Sequence, residues 1–303
     1  MKKYIVNILV LICLLNVTNI AAGAQSSPQQ ERKAAWEAAE KVQVVGPAEI
    51  SLLDQAKIQI PAHYAFIPQP EASRVMKSIG NGDCPEMVGF IISDNDKEDW
   101  MVTIDYTKAG YIKDDDAKAW NAEELLTSLK EGTKENNKER KEKGLRELTV
   151  TGWVEKPQYD ANHHYLVWSI ALEERGQKDK TINYNTYALG REGYLTLTLV
   201  TDLKNIASEK AVAQNLLAAT EFVPGKRYEE FNSLTDHVAE YGLAALITGV
   251  AAKKMGLLAM AAAFGAKFIK LIVVGIGALG VMVMKFFRRK KDNKDSETTG
   301  PAE

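Results

Sequence analysis

Four stretches of the chain, residues 148–154, 165–172, 181–189 and 194–200, place apolar side chains at every second position. A period of two puts alternate side chains on opposite sides of a strand. The stretches therefore predict an antiparallel sheet with one buried face, joined through turns at 158–162, 173–179 and 190–193 that are short enough for hairpins. Leu166, Trp168, Ile170, Tyr184, Leu195, Leu197 and Leu199 are assigned to the buried face. The same alternation assigns Trp153, Tyr165, Asn183, Asn185, Tyr187 and Tyr194 to the other face, with several threonines. That second face is aromatic and hydrogen-bonding without being charged, which suits glycans or extended polar chains: ring faces stack on sugars while amides and hydroxyls pair with their hydroxyl groups. The same residue types also populate any solvated strand face.

The preceding residues read as mixed structure. Residues 28–43 are rich in Ala, Glu and Lys and form a helix that stops before Gly46 and Pro47. Short β-type runs follow at 48–52, 56–60 and 64–67, then a helix at 70–79 and a hairpin from 87–92 and 100–106. Asp114, Asp115 and Asp116 precede a long polar helix over 117–142, where carboxylates at a helix start satisfy free N–H groups and complement the dipole. Its later part, 130–143, is almost wholly charged or amide and is expected to project into solvent. An amphipathic helix over 206–219 should cover the sheet, and Ser233 with Asp236 makes a capping box for a further helix running through Tyr241.

Both ends of the chain read as targeting elements. Met1, Lys2 and Lys3, an apolar stretch and Ala22, Gly23, Ala24 make a secretory signal peptide over 1–24. Residues 268–287 are apolar apart from Lys270 and Lys285 and would span roughly 30 Å as a helix, about the thickness of a bilayer core. Lys253 and Lys254 interrupt the apolar segment before it, where each would cost about 3 kcal/mol in hydrocarbon. The expected order is an extracytoplasmic domain over 25–240, a membrane-proximal apolar helix over 241–267, a transmembrane helix over 268–287 and a basic, then polar, cytoplasmic tail over 288–303. Lys285, Arg288, Arg289, Lys290, Lys291 and Lys294 outweigh Lys253, Lys254, Lys267 and Lys270, which places the C-terminus of a single-pass chain in the cytoplasm. The expected fold class is α+β, an antiparallel sheet covered by helices, plus a C-terminal transmembrane helix.

Chemistry is sparsely signalled. A net charge of −2 over 303 residues gives no electrostatic case for nucleic acid. The acidic turn after Ile92 fails as a calcium loop because its sixth position holds Asp99 instead of glycine and its twelfth holds Asp105 instead of a bidentate Glu. His163 and His164 are adjacent, so a strand would point them to opposite faces, and only Asp160 lies at ligand spacing. Gly275, Gly277 and Gly280 spell a dinucleotide-type pattern without the strand it needs; such small residues serve close helix contact, hence homo-oligomerisation through the membrane helix. Cys84, the one cysteine left after signal cleavage, lies between Asp83 and Glu86, which disfavour a reactive thiolate. No catalytic residue, cofactor or metal is assigned.

Several phrases together resemble a known set: GPAEISLLDQAKIQIPAHYAFIP (46–68), GYIKDDDA (110–117), TGWVEKPQYD (151–160), LGREGY (189–194) and RYEEFNSLTDHVAEYGLAALITG (227–249). They are similar to the uncharacterised membrane-anchored bacterial family, domain of unknown function 2167. The resemblance implies a bacterial origin and a membrane-anchored extracytoplasmic domain, hence with the orientation above a place in the bacterial inner membrane, and carries no activity or functional residues. The expected role is a membrane-anchored binding or envelope scaffold protein without catalysis, with the lipid bilayer and an envelope protein or glycan as partners. A membrane-tethered hydrolase-type enzyme and an oligomerising membrane component are the alternatives.

Overall fold

The computed structural model describes residues 27–249 except 82–83, 96–97, 143 and 177–179. The described residues belong to one compact unit that ends at Gly249. Its frame is an eight-stranded antiparallel sheet built from β1 (Val44–Val45), β4 (Tyr64–Pro68), β5 (Met87–Ser93), β6 (Met101–Thr107), β7 (Leu148–Asp160), β8 (Tyr165–Glu174), β9 (Lys180–Leu189) and β10 (Tyr194–Asp202). The spatial order is β1-β4-β5-β6-β10-β9-β8-β7. The last four strands are sequential hairpins, as the period-two pattern requires, and β10 closes the meander against β6 with Leu195 opposite Tyr106 and Leu199 opposite Val102. A second sheet of β2 (Ala48–Leu52), β3 (Ala56–Ile60) and β11 (Thr220–Phe222) runs in the order β11-β3-β2.

Cross-strand partners share a face, so the register sorts every side chain. On the first face Val167, Tyr184, Ala188, Leu195, Leu197 and Leu199 meet Ile104, the small sheet's Ile50, Leu52, Ile58 and Ile60, and Ala213, Leu216 and Leu217 of helix α4 (Ile206–Ala218). Leu195, Leu197 and Leu199 are each fully buried, worth about 1.5–3 kcal/mol apiece. On the second face α1 (Pro28–Val42) and α2 (Glu71–Ser78) seal β4 and β5 through Ala35, Ala39, Val75, Phe90 and Ile92. At the far end α3 (Ala122–Glu142) packs on β7, and the short α5 (Leu243–Thr248) on α3. Both faces are therefore covered.

This arrangement corrects the single-buried-face reading. Tyr165 stands opposite Ala188 and joins the α4 side, while Leu166 stands opposite Tyr187 and Trp168 opposite Asn185 on the second face. The one-residue offset of β8 moves its whole apolar set to the other side. Irregular register in β7 between Val150 and Gly152, Trp153 and Glu155, and Glu155 and Gln158 breaks strict alternation, and brings Trp153 opposite Ile170 on that second face.

The helices depart from expectation in three places. Asp115–Lys118 is a separate 3-10 turn, and α3 begins only at Ala122 with Asn121 Oδ1 accepting from Glu123 N at 2.9 Å. Asp116 caps α5 instead: its carboxylate accepts from Leu243 N at 3.1 Å and Ala244 N at 3.0 Å. A Cβ on Gly242 would stand 2.6 Å from that carboxylate, so only glycine admits the contact. Leu243, Leu246 and Ile247 are buried within the domain. The helix expected from Ser233 is a turn, because Asp236 accepts from Asn232 N at 2.7 Å and pairs with Arg191. The later part of α3, expected in solvent, is docked: Asn137 donates to Leu148 O at 2.8 Å and accepts from Leu148 N at 2.9 Å.

The fold class is corrected accordingly to a sheet-rich α+β fold with a large antiparallel sheet. No helix among the described residues is long and apolar enough to cross a membrane: α3 has the length but is polar, and α5 is apolar but has six residues. The expected transmembrane helix over 268–287 lies outside the described residues, as do the signal peptide over 1–24 and the cytoplasmic tail.

Two hydrogen bonds to one strand end make Asn137 the fastening of α3. Asn137→Ala should lower stability by about 1–2 kcal/mol in urea unfolding and open the last turns of α3 to protease. Unchanged stability together with unchanged cleavage would show that α3 docks without it.

Candidate functional site

The expected ligand face is largely an interior. Tyr187 is 7 % exposed and donates to Leu246 O of α5 at 3.3 Å; Trp153 is half-buried and donates from its indole to Ala122 O of α3 at 3.0 Å. Asn185 and Tyr194 are buried, and Asn183 is half-buried. Tyr165 lies on the opposite face, where its hydroxyl donates to Leu217 O at 3.4 Å. The structure thus separates Tyr165 from the other five, and helices cover most of what remains.

Asp105 is a half-buried carboxylate in the middle of that face. Asp105 pairs across the sheet with Thr196 and Met87. Burial, then the neighbouring Glu86, push its pKa up to about 6. Because the folded-state value is raised, the group is neutral at no cost below its unfolded value, and it destabilises the fold as pH climbs from about 4 toward about 6 and beyond.

A different cluster forms at the rim, where the β7–β8 turn meets the segment after β6 and the segment after β11. Four rings stack in a column: Phe231 on Tyr111 with centroids 3.9 Å apart, Tyr111 on Tyr228 at 4.4 Å, and Tyr228 on His164 at 4.0 Å. Tyr228 is buried and donates to Ile112 O at 2.7 Å; Phe231, Tyr111 and His164 are half-buried. Beside the column, Tyr159 donates to Asp114 Oδ2 at 2.8 Å, and His164 Nδ1 lies 3.2 Å from the same phenol oxygen. Burial and the Asp114 carboxylate both raise the Tyr159 pKa far above the ordinary phenol range, so it stays protonated. His164 has φ +57, a left-handed conformation that costs a non-glycine residue energy and turns its ring onto Tyr228.

The surroundings hold this cluster in place. Gly110, with φ +89, lets the chain pass 2.7 Å from His237 where a Cβ would stand, and Tyr111 N donates to His237 O at 2.8 Å. Arg191 grips Asp236 bidentately at 2.6 and 2.9 Å, and this guanidinium holds the Asp236 carboxyl well below the usual carboxylate range. His163, next to His164, is exposed and pairs with Asp160 at 2.7 Å. Among the described residues no group of three or more His, Cys, Asp or Glu side chains is arranged to hold a metal ion.

Sequence reasoning placed His164 in a hairpin end and Asp114 at a helix start, and neither was joined to Tyr111, Tyr159, Tyr228 or Phe231. The available signal was distribution: three of the phrases that carry the family resemblance, 110–117, 151–160 and 227–249, each supply rings or carboxylates to this one place.

A family described as "Protein of unknown function (DUF2167)" matches residues 44–277. No curated protein matches the chain. Among solved structures, a solution structure of cyanobacterial PsbP from Synechocystis sp. PCC 6803 is similar at 8% identity and TM-score 0.37, over 60% of this chain and 91% of that one.

Asp105→Asn removes the charge that the fold disfavours. It should stabilise the protein by on the order of 2 kcal/mol at pH 8, with the gain closing toward pH 4 where the native carboxyl is already neutral. An equal effect at both pH values would show that Asp105 is not held against its charge.

Proposed function

We propose a binding role for this chain, which belongs to the DUF2167 family of proteins of unknown function: an extracytoplasmic, non-catalytic binding or envelope scaffold domain that meets its partner at the rim cluster. The observation that carries this reading is the column Phe231–Tyr111–Tyr228–His164, whose two outer rings are half-buried while the inner part is locked to the backbone at Ile112. Rigid aromatic rings contribute large contact area with little entropy to lose, which is why they anchor recognition surfaces. A scaffold that spends glycine, a left-handed histidine and a bidentate ion pair on fixing such rings at its rim is organised for contact there. An envelope protein or a glycan is the class of partner.

One observation favours a second reading, a hydrolase-type enzyme. The Asp114–Tyr159–His164 chain of hydrogen bonds orients an imidazole in the way a general base is oriented. The two readings differ in what His164 does: removing the imidazole from a binding site weakens capture, whereas removing it from an active site spares capture and stops turnover.

Cross-linking in native envelopes separates them. The wild-type chain should retain a partner that Phe231→Ala loses and Tyr187→Phe keeps, since Tyr187 is interior. Equal retention by Phe231→Ala would place the contact elsewhere. Conversion of the retained ligand by wild type but not by His164→Ala would establish the enzyme.

A further inference from the structure

The hydrogen bonds around His164 can be assigned a direction, and that direction constrains the ligand. An ionised carboxylate only accepts, so the 2.8 Å contact consumes the Tyr159 hydroxyl proton in the bond to Asp114. The phenol oxygen then has lone pairs alone to offer toward His164. The 3.2 Å contact is therefore made by an N–H on His164 Nδ1, and in the neutral ring this leaves Nε2 with a lone pair and no hydrogen. No described residue takes up that lone pair: the contacts of His164 are its Nδ1 bond, its stack on Tyr228 and its backbone carbonyl, which accepts from Leu189 N at 3.1 Å.

Resting on the binding role above, we infer that His164 Nε2 is a fixed hydrogen-bond acceptor for a hydroxyl of a neutral, polyhydroxylated ligand, a glycan segment, which lays a neighbouring sugar face on the outer side of the column's end ring. The acceptor requires a donor on the ligand. Asp114 and Asp115 lie close enough to act on Tyr111, and Asp114 and Asp160 on Tyr159, and this negative charge disfavours phosphate or carboxylate ligands. His164 ends the column, so the face of its half-buried ring turned away from Tyr228 is a flat surface of the kind sugar C–H groups stack on. Tyr159 touches no ligand here; it is a positioning residue that sets the tautomer. With Tyr159 protonated throughout, Asp114 and Tyr159 hold the ring in one orientation, while His163 is engaged separately with Asp160 and takes no part.

The tautomer is measurable without any ligand. Long-range proton–nitrogen NMR on the full chain, with His164 assigned by comparison with His164→Gln, should show Nε2 unprotonated and Nδ1 carrying the hydrogen at neutral pH; Tyr159→Phe should shift the population toward the Nε2–H form. A protonated Nε2 in the neutral wild-type ring overturns the inference. In parallel, a neutral β-linked glucose hexasaccharide titrated onto the protein should bind, with affinity reduced at least tenfold by His164→Ala and severalfold by Tyr159→Phe. Spermidine is the ammonium control, and spermidine binding in place of the hexasaccharide overturns the ligand class. Hexasaccharide binding that is unaffected by His164→Ala overturns the role of Nε2 and leaves the binding role standing. A native-envelope partner kept by Phe231→Ala moves the binding contact away from the rim cluster and removes the reading on which this inference rests.

Discussion

The pairing of β6 with β10 is the contact on which the molecule depends. It joins strands 87 residues apart at their closest pair, Tyr194 with Thr107, and thereby fuses a sheet half built from the first hundred or so residues to the four-strand meander built from the next block. Everything placed on either face is placed by that junction. The small sheet and α4 can share one core because Ile104, Leu195 and Leu197 come to one side of it, and Asp105 is drawn into the other side because it alternates with Ile104. A non-local pairing of this kind is entropically costly to close, and the fully buried Val102, Ile104, Leu195, Leu197 and Leu199 supply the apolar burial that offsets it.

With both faces of the sheet occupied, the proposed contact with a partner falls at the rim. Three connections converge there, and each is constrained: the residues after β6 by Gly110 and His237, the β7–β8 turn by Tyr159 and Asp114, and the residues after β11 by Arg191 and Asp236. Polar groups are matched closely in this region. Tyr228 finds Ile112 O, Tyr159 finds Asp114, and Asp116 reaches α5. Loops held by satisfied polar networks present side chains with little freedom, which is the condition a recognition surface needs.

Most elements were legible from residue pattern, and most relationships between them were not. The period-two runs gave β8, β9 and β10, and the Pro and Gly punctuation gave α1, α2 and the strands between them. The facing of β8 was hidden because Leu166, Trp168 and Ile170 alternate with Tyr165, Val167 and Ala171, so both sets are apolar enough to be interior. β7 was obscured by irregular register that alternation cannot express. β11 is only three residues, Thr220–Phe222, too short to show a period. Asp116 looked like a cap for the helix that follows it and caps one 127 residues away; Ser233 and Asp236 looked like a capping box, and Asp236 is claimed by Arg191. In each case a local rule lost to a partner distant in sequence. The rim cluster was invisible for the same reason, since no single segment contains more than a part of it.

Tyr184, Tyr187 and Tyr194 of β9 and β10 are interior, whereas Tyr111, Phe231 and His164 of the rim column are partly exposed. Hydroxyl-radical footprinting of the full-length protein, read residue by residue by mass spectrometry, tests this directly. Tyr184, Tyr187, Tyr194 and Trp168 should be strongly protected while Tyr111, Phe231, His163 and His164 are oxidised. Rapid oxidation of Tyr187 and Tyr194 with protection of Tyr111 and Phe231 would contradict the account and return the ligand face to the sheet.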